Sequence, residues 1–205
     1  LYIGAVGNQV GHCWKVAGAE ILRCRAGWRR HGYFLLQNSH STTRAGSHIW
    51  FSIAIQVLFL RDIAIANVAF CFIYTWFLVK APMQTNPLLL LIGAMSVGCL
   101  IDIFYNTHGM HAFACVLVAW LRPVFFRILT PANGYDERSS ISLAEMKWLW
   151  FFPYLFLVLM SHHLLLFTRE AGDWTLIGYS VLKALSSTLL GMAVFGILEF
   201  FNRPE

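Results

Sequence analysis

The chain has 205 residues, of which 58% are hydrophobic and only 12% charged, with a mean hydropathy of +0.61 and a formal net charge of +5. Such a composition excludes an ordinary soluble domain and points to a polytopic membrane protein. The positive charge is confined to residues 1–45, where Lys15, Arg23, Arg25, Arg29, Arg30 and Arg44 face Glu20 alone; from Gly46 onward nine basic and nine acidic groups cancel. A basic cluster next to a membrane domain acts as a cytoplasmic retention signal or attracts anionic headgroups, and gives no support to a nucleic-acid partner.

Residues 1–45 hold no apolar run long enough to cross a bilayer, and the YFLL after Arg30 is too brief for the core of a signal peptide. The chain begins with Leu1 and its first methionine is Met83. The segment is expected to be either translation from an upstream or alternative start or a real cytoplasmic extension, the first being favoured, and poorly ordered in both cases. Residues 46–205 form the integral membrane domain.

Ile49 to Leu60 is the first apolar run. At about 1.5 Å per residue it falls short of a core of roughly 30 Å unless it recruits Ala45 to His48 or thins the bilayer. Arg61 and Asp62 mark a turn, and Ile63 to Val79 is predicted as a second span. The third, Pro87 to about Tyr105, opens on Asn86-Pro87, a cap residue followed by proline at the first helical position. A polar knot with Asp102, Asn106, His108 and His111 separates it from the fourth span, Gly109 to Leu129, which Asn106 or Thr107 is placed to cap. After the linker TPANGYDERSSIS, Ser142 and Glu145 have capping-box spacing, with Ile141 placed to staple against Met146. The fifth span, Lys147 to about Phe167, carries Pro153 early enough to bend it; Asp173 is placed to cap the sixth, Trp174 to Phe200. The predicted fold is an all-α transmembrane bundle of about six helices.

Short-loop charges set the expected orientation. Lys80, Arg122, Arg127, Arg138, Lys147 and Arg203 fall on the side of the N-terminus and only Arg61 and Arg169 on the other, which makes both termini cytoplasmic. The knot and His162-His163 then lie toward the outer face. Ala94 and Gly98 share a face of the third span, as do Ser187 and Gly191 of the sixth, at the spacing that lets helix backbones approach. Asp102 and Asn106 continue the first face by steps of four and Lys183 precedes Ser187 on the second, so a buried Asp102–Lys183 ion pair is expected to lock the two helices in register.

Cys71, Cys99 and Cys115 sit in apolar runs and no CxxC pair occurs, so the five cysteines are not a disulfide framework; Cys13 and Cys24 stay open. His108, His111, His162 and His163, with Asp102, are residue types that bind zinc or iron. There is no HExxH, however, and adjacent histidines on a helix point about 100 degrees apart. A structural role is favoured over a metal. GxSxG and glycine-rich phosphate loops are also missing, so no catalytic residue, cofactor or metal is assigned.

The run IDIFYNTHGMHAFACVLVAWLRPVFFRIL, Ile101 to Leu129, resembles the central signature of the MreD family of rod shape-determining membrane proteins, a G-x-x-x-D-x-x-x-x-x-x-G-x-H pattern joining two spans. Here it is Gly98, Asp102, Gly109 and His111; the PANGYDERSS linker, the SHHLLLF stretch and the serine-rich last span are similar too. The resemblance runs from about Ile49 to Phe200. It implies a non-enzymatic scaffold of the cell-elongation machinery in the bacterial inner membrane. Such a scaffold binds MreC and links it to MreB filaments and to the peptidoglycan polymerase and transpeptidase. The family is also said to resemble the substrate-binding subunits of energy-coupling-factor transporters, which implies as the alternative a small-molecule pocket near Asp102, His111, His162 and Lys183. A membrane metalloenzyme is the distant third reading. Gly98, Asp102, Asn106, Gly109, His111, His162 and Lys183 are the candidate partner or pocket residues.

Overall fold

A computed structural model describes residues 51–60, 64–65, 68–131, 134–135 and 140–201. Expectations for residues 1–45, including Cys13 and Cys24, and for Arg61, Arg138 and Arg203 lie outside these.

The protein is an all-α membrane bundle. Its elements are α1 (Phe51–Leu60, with a wider π-type last turn from Gln56), a two-residue strand pair β1 (Ala64–Ile65) and β2 (Ala69–Phe70), then α2 (Trp76–Lys80) and α3 (Pro87–Tyr105). They continue with α4 (Met110–Ile128), α5 (Leu143–Met146), α6 (Trp148–Ala171) and α7 (Ile177–Phe201). Among the described residues α3, α4, α6 and α7 are the four helices long and apolar enough to cross a membrane. α3 packs on α4, α4 on α6 and α6 on α7. Leu88, Leu89, Ile92, Met95 and Ile103 of α3 and Leu182, Leu189 and Ile197 of α7 stay exposed, as lipid-facing side chains do.

The caps of α3 and α7 are those the sequence predicts. The Asn86 side chain accepts from the Leu88 N–H at 2.9 Å. Asp173 accepts from the Thr175 N–H at 3.0 Å ahead of a short 3-10 turn leading into α7. The Thr175 backbone and hydroxyl hold the Asp173 carboxyl below the usual carboxylate range. Two other expectations change. Asn106 takes a left-handed conformation (φ 56°) and closes α3, while Gly109 stands at the start of α4. Ser142 accepts from the Glu145 N–H at 3.2 Å, but the box launches only the single turn α5: Lys147, at φ 61°, interrupts the chain and α6 begins afresh at Trp148. The Glu145 carboxylate reaches the N–H of Ser140 instead of Ser142.

The larger departures are the first two predicted spans. The first is a ten-residue helix as far as the chain is described, and the second is no continuous helix. Residues 68–80 thread the bundle interior as a strand, an extended step at Cys71 and Phe72, a 3-10 turn (Ile73–Thr75) and then α2. Tyr74, Thr75, Leu78 and Val79 are almost fully buried. Non-helical backbone survives at membrane depth only where protein surrounds it and satisfies its polar groups. Here polar side chains do so. Ser187 accepts the Phe70 N–H at 2.9 Å, Gln56 accepts the Ile73 N–H at 2.7 Å, and the Ser186 hydroxyl donates to the Val68 carbonyl at 2.9 Å. Ser187 therefore supplies a hydrogen bond as well as a small surface. The core around this segment includes Ile53, Phe72, Ile101, Val118, Phe151, Tyr154, Leu155 and Phe195.

Candidate functional site

The site starts from one absent side chain. A Cβ placed on Gly98 would lie 2.3 Å from the Cα of Ala112 and 2.7 Å from its nitrogen, so α3 and the first turn of α4 touch backbone to backbone. One turn further along the same face, Asp102 then reaches the N-terminus of α4. Its carboxylate accepts the His111 N–H at 3.0 Å, the Ala112 N–H at 2.9 Å and the Thr107 hydroxyl. Two orphan donors of a helix start and one hydroxyl thus occupy a buried carboxylate at the positive end of the α4 dipole. Gly109 at φ 89° provides the turn that makes this possible.

With α4 pinned, His111 points inward. Its Nδ1 is 2.8 Å from the hydroxyl of Tyr74, and that hydroxyl is 2.9 Å from Nε2 of His162 on α6. A phenol carries one proton, so it donates to one imidazole and accepts from the other; one of the two facing ring nitrogens must therefore bear hydrogen. His163, next on α6, has Nδ1 3.0 Å from the Thr188 hydroxyl of α7. The ring of Phe72 lies among all three histidines, with centroids 5.7, 6.0 and 5.4 Å away. Cys115 Sγ is 3.9 Å from His162 Nε2. The threaded segment is thereby cross-linked to α4 and α6, and α6 to α7. Nδ1 of His162 and Nε2 of His163 are buried with no hydrogen-bond partner among the described residues.

Gly98, Asp102, Gly109, His111 and His162 come together. Asn106 is an exposed helix end, and Lys183 belongs elsewhere. The expected Asp102–Lys183 pair does not form: Asp102 is filled by Thr107, His111 and Ala112, while Lys183 lies 3.4 Å from Glu170 and over the rings of Phe70, Phe167 and Tyr179 at 5.3–5.5 Å. Among the described residues no three His, Cys, Asp or Glu side chains are grouped to hold a metal ion.

Several buried polar residues escaped the sequence reading. Besides Gln56, Tyr74 and Thr188, the opposite end of the bundle holds two cations. Lys80 pairs with Glu199 and donates to the Ile141 carbonyl at 2.8 Å, and Glu199 also accepts the Leu143 N–H at 3.1 Å. Arg122 donates to the carbonyls of Ala81 and Pro82 and, at 2.9 Å, to the Tyr154 hydroxyl, with its guanidinium 4.9 Å from the Phe126 ring centroid. The available signal was the isolation of each: Gln56 and Glu199 stand singly in apolar runs, where a polar group needs a protein partner. No family model, no curated protein and no solved structure matches the chain.

Proposed function

We propose that this chain is an MreD-type scaffold of the bacterial inner membrane, with both termini cytoplasmic. It binds MreC and couples it to MreB filaments and to the polymerase and transpeptidase of cell elongation. One observation carries the reading. The four residues of the resembling signature work as a unit: Gly98 brings two helices into contact, Asp102 holds the second helix by its N-terminus, Gly109 turns the chain and His111 ties it to the interior. A signature spent on helix architecture suits a protein that presents a fixed surface. In the test, the tagged chain is co-expressed with MreC and purified. Stoichiometric recovery of MreC, lost in Gly98→Val, supports the scaffold, whereas no recovery from the unaltered chain removes it.

The two unpartnered imidazole nitrogens favour a second reading, a small-molecule-binding membrane subunit. A buried donor or acceptor without a protein partner is where a polar guest would bind. A compound that co-purifies with the chain and is lost in His162→Leu supports that reading, and a ligand-free preparation with full MreC binding rejects it.

A further inference from the structure

At the end of the bundle where α3 meets α4 and α6 passes into α7, each described acid has a contact of its own outside the cleft described below. Asp102 is filled by Thr107 and the α4 N-terminus, Glu170 faces Lys183, and Asp173 caps the turn at Thr175. Arg169, exposed in the last turn of α6, has no hydrogen-bond or ion-pair partner among the described residues. It lines a surface cleft with His108, Gly109, Met110 and Phe113. His108 (φ 49°) and Gly109 (φ 89°) form a left-handed corner set between the two helices that Asp102 ties together, so one wall of the cleft is fixed. Below it Met110 is half-buried, and Phe113 is 50% exposed on α4.

We propose that this cleft binds the phosphate of an anionic membrane phospholipid. Arg169 and His108 meet the phosphate oxygens, and an acyl chain runs down over Met110 and Phe113. Depth supports the assignment, because the cleft lies at the ends of two spanning helices, where headgroups sit. Arg169 supplies a planar fork of donors that matches phosphate. The charge pattern sets the preference among lipids: the cleft offers a cation to the phosphate, and none of its lining residues is an acid that would receive an ammonium headgroup. Phosphatidylglycerol therefore binds in preference to phosphatidylethanolamine. Soluble phosphate has no use for the apolar floor.

The full chain, purified in mild detergent, is titrated with phosphatidylglycerol or phosphatidylethanolamine and its bound lipid counted by native mass spectrometry. The expected result is retention of phosphatidylglycerol about fivefold above phosphatidylethanolamine. That preference falls to near one in Arg169→Gln, survives largely in Arg169→Lys, and is untouched by Arg127→Gln, an exposed arginine at the far end of α4. Equal retention of the two lipids, or an unchanged preference in Arg169→Gln, overturns the proposal. So does displacement of phosphatidylglycerol by millimolar inorganic phosphate, which would make the cleft a soluble-anion site. MreC recovery is read separately and does not enter this outcome.

Discussion

Two glycines of the same apparent kind, each in a small-residue stripe of a long apolar helix, differ in what surrounds them. A Cβ on Gly98 would meet only backbone atoms, Ala112 Cα at 2.3 Å, Ala112 N at 2.7 Å and His111 O at 2.9 Å. Backbone cannot step aside, so α3 and α4 must separate. Separation also draws Asp102 away from the His111 and Ala112 N–H groups. Overpacking costs about 1–3 kcal/mol and hydrogen bonds to a charged group about 1.5–3 kcal/mol each. Gly98→Ala should therefore destabilise the protein by roughly 3 kcal/mol or more, measured by reversible unfolding in mixed micelles. At Gly191 the nearest atom is the Leu159 Cδ1 methyl at 3.1 Å, the free end of a side chain that rotates. Gly191→Ala should cost less than about 1 kcal/mol, partly offset by better helix propensity. Equal costs at the two sites would mean that the close approach of α3 to α4 is not what Gly98 provides.

At the scale of elements, the threaded segment 68–80 separates what the sequence reveals from what it hides. The ends of α3 and α7 were legible because local chemistry writes them: Asn86-Pro87 starts one helix and Asp173 caps the approach to the other, each through atoms two residues apart. Residues 63–79 read as a helix because hydropathy reports burial and not backbone conformation, and a buried apolar run carries no period to tell the two apart. What decides the conformation is the set of side chains that satisfy the freed backbone groups, and Gln56 and Ser187 lie 17 and 117 residues from the amides they serve. The Asp102–Lys183 expectation failed for a related reason. Spacing by four fixes which residues share a face of one helix but not how two helices are rotated, and Glu170 across the α6–α7 turn provides a closer acid. If Gln56 and Ser187 hold the segment, Gln56→Leu and Ser187→Ala each leave a buried N–H unsatisfied, at about 1–3 kcal/mol. Cys71, a free buried thiol inside the segment, reports the outcome. With the other cysteines replaced by alanine, its labelling by a maleimide should speed up about tenfold or more in either variant, and an unchanged rate would show that the segment does not depend on these bonds.

Over the whole molecule, polar contacts gather at two levels of an otherwise apolar bundle: the Asp102–His111–Tyr74–His162 set toward one end, and Lys80–Glu199 with Arg122–Tyr154 at the other. The second level joins pieces far apart in the chain. Lys80 ends α2, Ile141 and Leu143 close the linker before α6, and Glu199 lies near the end of α7. Glu199 is 4% exposed and Lys80 29%, so removing either partner leaves a charge largely out of water. Losing one member of a buried pair costs about 3–5 kcal/mol, and the partial exposure of Lys80 brings the expectation for Glu199→Gln toward the lower end. Removing both charges with apolar residues of similar size is cheaper, because no uncompensated ion remains. Glu199→Leu and Lys80→Met each leave one charge of the pair without its partner and should each destabilise the bundle by about 3 kcal/mol. The double variant should cost less than the two together by at least about 1 kcal/mol, as contacting residues do in a double-mutant cycle. Limited proteolysis of the linker gives an independent reading: Leu143 loses its acceptor in Glu199→Leu, so cleavage near Ser140 should accelerate in that variant. Strict additivity of the two substitutions, with cleavage unaltered, would mean that the pair rides on a bundle already held together by its apolar contacts.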